Sequence, residues 1–184
     1  MSASQTVGPF FSLGLQHLNR ADLAVPGISG TIITIRGQIL DGDQQPVPDA
    51  MLEIWQADAD GKFSENKCEA GAGAAILFTG FARIPTDAEG RFELRTIKPG
   101  CILVAGDKSQ APHIAVFVFM RGLLKPLYTR IYFSGEPAND ADPVLELVPA
   151  ARRSTLIAGK EPGGNFLRWN VMLQGENETV FFDW

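Results

Sequence analysis

Short apolar runs rich in Ile, Val, Leu, Phe and Thr recur along this chain, each closed by Gly, Pro or Asp before it is long enough for an ordinary helix. Residues 31–40 are β-branched and lie between Gly30 and Asp41-Gly42, which predicts a strand and a tight turn. Residues 49–56 follow as a second strand, with Met51, Glu53 and Trp55 on one face and Leu52, Ile54 and Gln56 on the other. Similar runs occupy residues 80–84, 91–97, 113–120, 128–133, 166–173 and 179–182. Only residues 149–158 look helical, with Pro149 suited to a first turn and Gly159 placed to end it. The expectation is an all-β chain, an antiparallel β-sandwich of roughly seven to nine strands with long loops and one short helix.

A chain of 184 residues is long enough for one continuous core, so residues 1–184 are read as a single domain, with 1–28 as an N-terminal arm. Its formal charge of −5, without clustered Lys or Arg, argues against nucleic acid as a partner. The longest apolar stretch, residues 114–124, is interrupted by Arg121, so no membrane span is expected. Residues 1–6 lack the basic start and apolar middle of a signal peptide, which points to the cytoplasm. Cys68 and Cys101 lack metal-site spacing and are read as free thiols. The connections at 57–79 and 105–112 exceed what a sandwich needs, and long loops tend to carry contacts or function.

Residues 37–58 form a Gly–Asp–Gly–Pro turn segment that transthyretin-like and carboxypeptidase-regulatory-like sandwiches share, so it supports a fold more than an activity. More specific are Glu53-Ile-Trp-Gln-Ala-Asp-Ala-Asp-Gly-Lys-Phe63, Thr96-Ile-Lys-Pro-Gly100, Ala111-Pro-His-Ile114, Tyr132-Phe133 and Gln174-Gly-Glu-Asn-Glu-Thr-Val-Phe-Phe-Asp183. In this order they resemble the intradiol ring-cleaving dioxygenases. The likeness runs from Ser4-Gln-Thr-Val-Gly-Pro-Phe-Phe11 to the C-terminal end. Phe119-Met-Arg-Gly122 and the C-terminal segment resemble the alpha type of the family's two-subunit, protocatechuate-cleaving branch. In that branch the beta subunit carries the ferric iron.

The resemblance implies an iron held by two Tyr and two His, and this chain departs from that set. Phe63 stands where the first Tyr is expected, Ile102 where the second is, and His113-Ile-Ala115 where the family has His-x-His. Only His113 of the four survives. Gln110 and Arg130 match the Arg and Gln that accompany the family's iron. The chain does hold His17, His113, Tyr128 and Tyr132, so composition alone leaves an altered ligand set open. Spacing favours Tyr128 and Tyr132 packing across strands, and His113 as a strand histidine with one hydrogen-bond partner.

What the resemblance implies is therefore a metal-free alpha subunit paired with an iron-bearing beta subunit in a higher oligomer, cleaving a catechol-type aromatic carboxylate with dioxygen to 3-carboxy-cis,cis-muconate. The arm 1–28 would pack on the partner subunit, and this chain's part of the site would be Thr6, Val7, Gly8, Pro9, Phe10 and Arg121, the last as a partner for the carboxylate. Without the resemblance, the first stretch reads as a tether and Arg121 as a surface charge. A non-catalytic sandwich carrier remains open on those readings.

Overall fold

The computed structural model describes residues 3–64, 78–104 and 108–183. Its strands are β1 (Ile32–Leu40), β2 (Met51–Gln56), β3 (Phe81–Pro85), β4 (Arg91–Ile97), β5 (Ile102–Val104), β6 (Lys108–Gln110), β7 (His113–Phe119), β8 (Leu127–Phe133), β9 (Ile157–Lys160), β10 (Phe166–Arg168) and β11 (Val171–Met172). Two short α-helices, α1 (Pro9–Leu13) and α2 (Pro143–Leu147), accompany 3-10 turns at Gln16–Leu18, Pro137–Ala141 and Ala150–Leu156.

One layer runs β3-β2-β7-β8 and the other is built on β1, with β4, β10 and β11 beside it; β9 joins them, pairing with β8 on one side and β10 on the other. Burial alternates along the strands as a two-layer core requires. In β1 the inward residues are Ile33, Ile35 and Ile39, facing Leu52 and Ile54 of β2 and Ile114, Val116 and Val118 of β7 within one cluster. Truncating any fully buried Leu or Ile of this cluster to Ala costs about 2–5 kcal/mol. A smaller cluster of Ala111, Tyr132, Leu145, Val148 and Leu156 sits at the end of β8, under α2.

The β-sandwich reading stands, with differences in detail. Pairing is mainly antiparallel, yet β1–β10, β1–β11 and β8–β9 run parallel. The turn at Asp41 forms, its carboxylate accepting from the N–H groups of Asp43 and Gln45, but β1 and β2 then enter different layers. Residues 149–158 hold a 3-10 turn, and Gly159 lies inside β9, because sheet pairing there outweighs the helical pattern. Other short helical turns appear besides that one; those at Pro9–Leu13, Pro137–Ala141 and Pro143–Leu147 are opened by proline, and Gln16–Leu18 has neither proline nor a side-chain cap. The run 166–173 splits into two strands around Trp169, and 179–182 contributes only the bridge Tyr128↔Phe182. The connection 105–112 contains part of a β5–β6 hairpin. Most of the 57–79 connection, and Cys68 with it, lies outside the described residues; Cys101 is a free thiol.

The N-terminal arm is anchored to its own sandwich. Leu23 is fully buried in the main core, Arg20 pairs with Arg83, and the Asp22 carboxylate meets Arg95 at 2.9 Å. Upstream, α1 lies on the outer face of the β3-β2-β7-β8 layer, where Phe11 stacks on Phe119 at 4.9 Å. Phe10, Leu13 and Leu18 remain exposed.

Candidate functional site

Two groups of residues lie on the outer face of that layer, at opposite ends of β7. At the C-terminal end, the turn from β7 to β8 carries Arg121, and Gly122 takes the positive φ of 93° that lets the chain reverse. The hydroxyl of Thr6 accepts from the Gly122 N–H at 2.8 Å and donates to the Met120 carbonyl at 3.4 Å, so the arm is tied to this turn. Arg121 Nε donates to the Asp49 carboxylate at the entrance of β2. Val7, Gly8, Phe11, Asp49, Phe119 and Arg121 border a cavity of about 300 Å³. That volume lies at the small end of ligand pockets.

The sequence-derived residues of the arm therefore separate by role. Val7, Gly8 and Arg121 line the cavity, whereas Thr6 fixes the arm to the Arg121 turn. Pro9 opens α1, which carries Phe10 outward, 80% exposed. Arg121 is 72% exposed, so its pairing with Asp49 is screened by water and open to exchange with another carboxylate.

At the other end of β7 lie three of the positions expected to hold metal ligands, Ile102, His113 and Ala115, while Phe63 stands on the connection after β2, 54% exposed. Cross-strand register puts His113 opposite Tyr132, Ala115 opposite Arg130 and Phe117 opposite Tyr128 on one face. Gln110, paired with Ile102 across the β5–β6 hairpin, closes one side. Arg130 fills the space between them. Its Nη1 donates to Gln110 at 3.0 Å and to the Tyr132 hydroxyl at 3.3 Å, and its Nε donates to the Tyr128 hydroxyl at 2.9 Å. Tyr132 donates in turn to Asp142 at 3.2 Å.

These residues do not fit a ferric ion. Phe63, Ile102 and Ala115 carry no donor atom, and a fixed guanidinium sits among the phenols that would have to supply the replacement oxygens. The two phenols of the altered ligand set that composition left open are both engaged by Arg130. Burial pushes the Tyr132 phenol above its usual range, against the pull of Arg130, and keeps it protonated. Burial, then the Arg130 charge, lowers His113 to about 4, so the ring is neutral near pH 7 and donates Nδ1–H to the Ala111 carbonyl at 2.8 Å. His17, the other histidine, lies in the 3-10 turn Gln16–Leu18 of the arm.

Sequence reading missed three residues that organise these sites. Asp49 gave no signal beyond a turn-forming Asp after proline. Asp142 is fully buried and accepts from the N–H groups of Val144, Leu145 and Ala111 as well as from Tyr132. The Asp-Pro pair before an apolar run was its available signal, a helix N-cap followed by proline at the first helical position. Arg83 is buried beneath α1, which an Arg alternating with apolar residues in a strand does not reveal.

Comparison with known proteins agrees with this architecture. The dioxygenase family model matches residues 8–175. The alpha chain of protocatechuate 3,4-dioxygenase from Burkholderia cepacia is 46% identical over 195 residues, spanning 98% of this chain and 95% of that one. The beta chain of the same organism's enzyme is 34% identical over 131 residues, covering 70% of this chain and 56% of that one. Among solved structures, the dioxygenase domain of a carbohydrate-binding fusion protein from Streptomyces sp. SirexAA-E superposes with a TM-score of 0.64 at 24% identity, over 88% of this chain and 89% of that one, which speaks to the fold. With this match across nearly its whole length, the chain belongs to the intradiol dioxygenase family.

Proposed function

We propose that this chain is the metal-free alpha-type subunit of a protocatechuate 3,4-dioxygenase, working in the cytoplasm with a beta-type chain that holds the ferric iron. Together the two would open the ring of protocatechuate with dioxygen between the hydroxyl-bearing carbons. The observation that carries this reading is the absence of donor atoms at Phe63, Ile102 and Ala115, with Arg130 bonded to the phenols that remain. A chain with the family's fold has placed a guanidinium of its own between two phenols on the face where ligands are expected. The likeness to alpha and beta chains supports the same pairing.

In this reading the chain contributes a wall and no redox chemistry. Val7 and Gly8 would present backbone close to a flat ring, and Pro9 and Phe10 would continue that wall towards the partner. Arg121 would hold the substrate carboxylate by exchanging it for Asp49. The test is to purify the chain alone and co-expressed with a beta-type chain, then compare iron content, visible tyrosinate-to-iron absorption and ring cleavage. The expected result is a colourless, inactive single chain and a coloured, active complex. A coloured, active single chain overturns the assignment, and an iron-free complex without activity favours a carrier role.

A further inference from the structure

We propose that Arg83 is a positioning residue that clamps the N-terminal arm, setting where the Thr6–Phe10 wall stands; the inference rests on the function proposed above. Arg83 lies on β3, on the outer face beneath α1, and its side chain is only 2% exposed. It grips the arm at two points. Its main chain exchanges both hydrogen bonds with Arg20, at 2.9 and 3.1 Å. Its Nη2 donates to the Phe11 carbonyl at 2.6 Å, and the guanidinium carbon lies 4.5 Å from the centre of the Phe11 ring. The segment between residues 11 and 20 is therefore closed onto a single side chain and its backbone.

A buried charge must be compensated where it sits. The nearest carboxylate, Glu53, is 3.9 Å away, at the limit of an ion pair, and the buried Nε has no acceptor among the described residues. Much of the compensation therefore comes from the arm itself, through the Phe11 carbonyl and ring. Docking and burial of Arg83 are two descriptions of one event. If the arm lifts, the guanidinium is hydrated; when the arm returns, Phe11 must come back to one place. Lysine cannot reproduce this, because it lacks the planar group that stacks and donates at once. Four residues upstream of Phe11 stands Val7 at the cavity, and five upstream stands Thr6 on the Arg121 turn. A clamp at Phe11 thus fixes the register of that stretch.

Two variants approach the clamp from opposite sides, Arg83→Lys from the sheet and Phe11→Ala from the arm. The first readout is limited chymotrypsin digestion of the full chain, following cleavage after Phe10 or Leu13, sites that both variants keep. The second is the KM and kcat of the complex with a beta-type chain for protocatechuate. Both variants are expected to speed arm cleavage about tenfold, Arg83→Lys through the weakened hydrogen bond to the Phe11 carbonyl and Phe11→Ala through the lost ring contacts with Arg83 and Phe119. In Arg83→Lys, KM should rise while kcat stays within about twofold, as expected when positioning alone is loosened. If Arg83→Lys fails to fold, Arg83→Gln takes its place; Phe11 borders the cavity, so Phe11→Ala is read for cleavage only. Unchanged cleavage in Phe11→Ala overturns the clamp. Faster cleavage with unchanged KM overturns the positioning role and takes the arm out of the site. Arg121→Ala, tested separately, reports whether the cavity binds substrate at all, so the two failures are told apart.

Discussion

Arg121 hangs on a turn that the arm itself secures, so its position depends on Thr6 as much as on its own strand. Charge-assisted hydrogen bonds contribute about 1.5–3 kcal/mol, and exposure places this one at the low end. Replacement of Arg121 by Ala should therefore raise the KM of the complex for protocatechuate about tenfold while barely changing that for unsubstituted catechol. Steady-state kinetics on both substrates checks this, and equal effects would remove Arg121 from carboxylate recognition. His113 makes a separate prediction. Its folded value of about 4 lies below the ordinary 6.5, so the unfolded chain binds the proton first as pH falls. Stability from this group is complete above about pH 6.5 and is lost between there and about pH 4, by up to about 3 kcal/mol. Urea unfolding of His113→Gln across that range should show a shallower acid decline than wild type. Phe63, Ile102 and Ala115 were readable as donorless positions from sequence alone, because a missing oxygen or nitrogen is a property of residue type. Arg130 as their occupant was not, since its contacts come from Gln110 twenty positions back and from two phenols on its own strand.

The strands were legible wherever alternation reflects one buried face, as in β1, β2, β4, β7 and β8. Local pattern failed where partners lie far away in sequence. Gly159 reads as a helix stop, yet it pairs with Arg168 inside β9. The 3-10 turn before it is held by Thr155 Oγ1 donating to the Arg152 carbonyl at 2.8 Å and Arg153 Nε donating to the Val148 carbonyl at 2.9 Å. The junction of β8, β6 and α2 rests on Asp142. Its carboxylate meets three backbone N–H groups and one phenol, so Asp142→Ala leaves several buried donors without an acceptor. A loss of about 3–5 kcal/mol is expected by chemical denaturation. Tyr132→Phe, which removes only the hydroxyl and its bonds to Asp142 and Arg130, should cost about 1–2 kcal/mol. Similar losses for the two would show that α2 is held mainly by its apolar contacts.

On the scale of the molecule, β9 belongs to both layers, so neither can separate without breaking pairs to β8 or β10. Thermal unfolding should accordingly be one cooperative transition, with far-ultraviolet and near-ultraviolet circular dichroism changing together. Two resolved transitions would mean that the layers melt independently. The two-layer plan was visible in the rhythm of short strands; the parallel pairs and the bridging role of β9 were hidden, because strand order is decided by long-range packing. Arg130 has a further consequence on this scale. A metal must be delivered, can be displaced by a competitor and can be stripped by a chelator, whereas a guanidinium arrives with translation and stays. This corner of the fold thus has its charge and hydrogen bonds in place without an added ion.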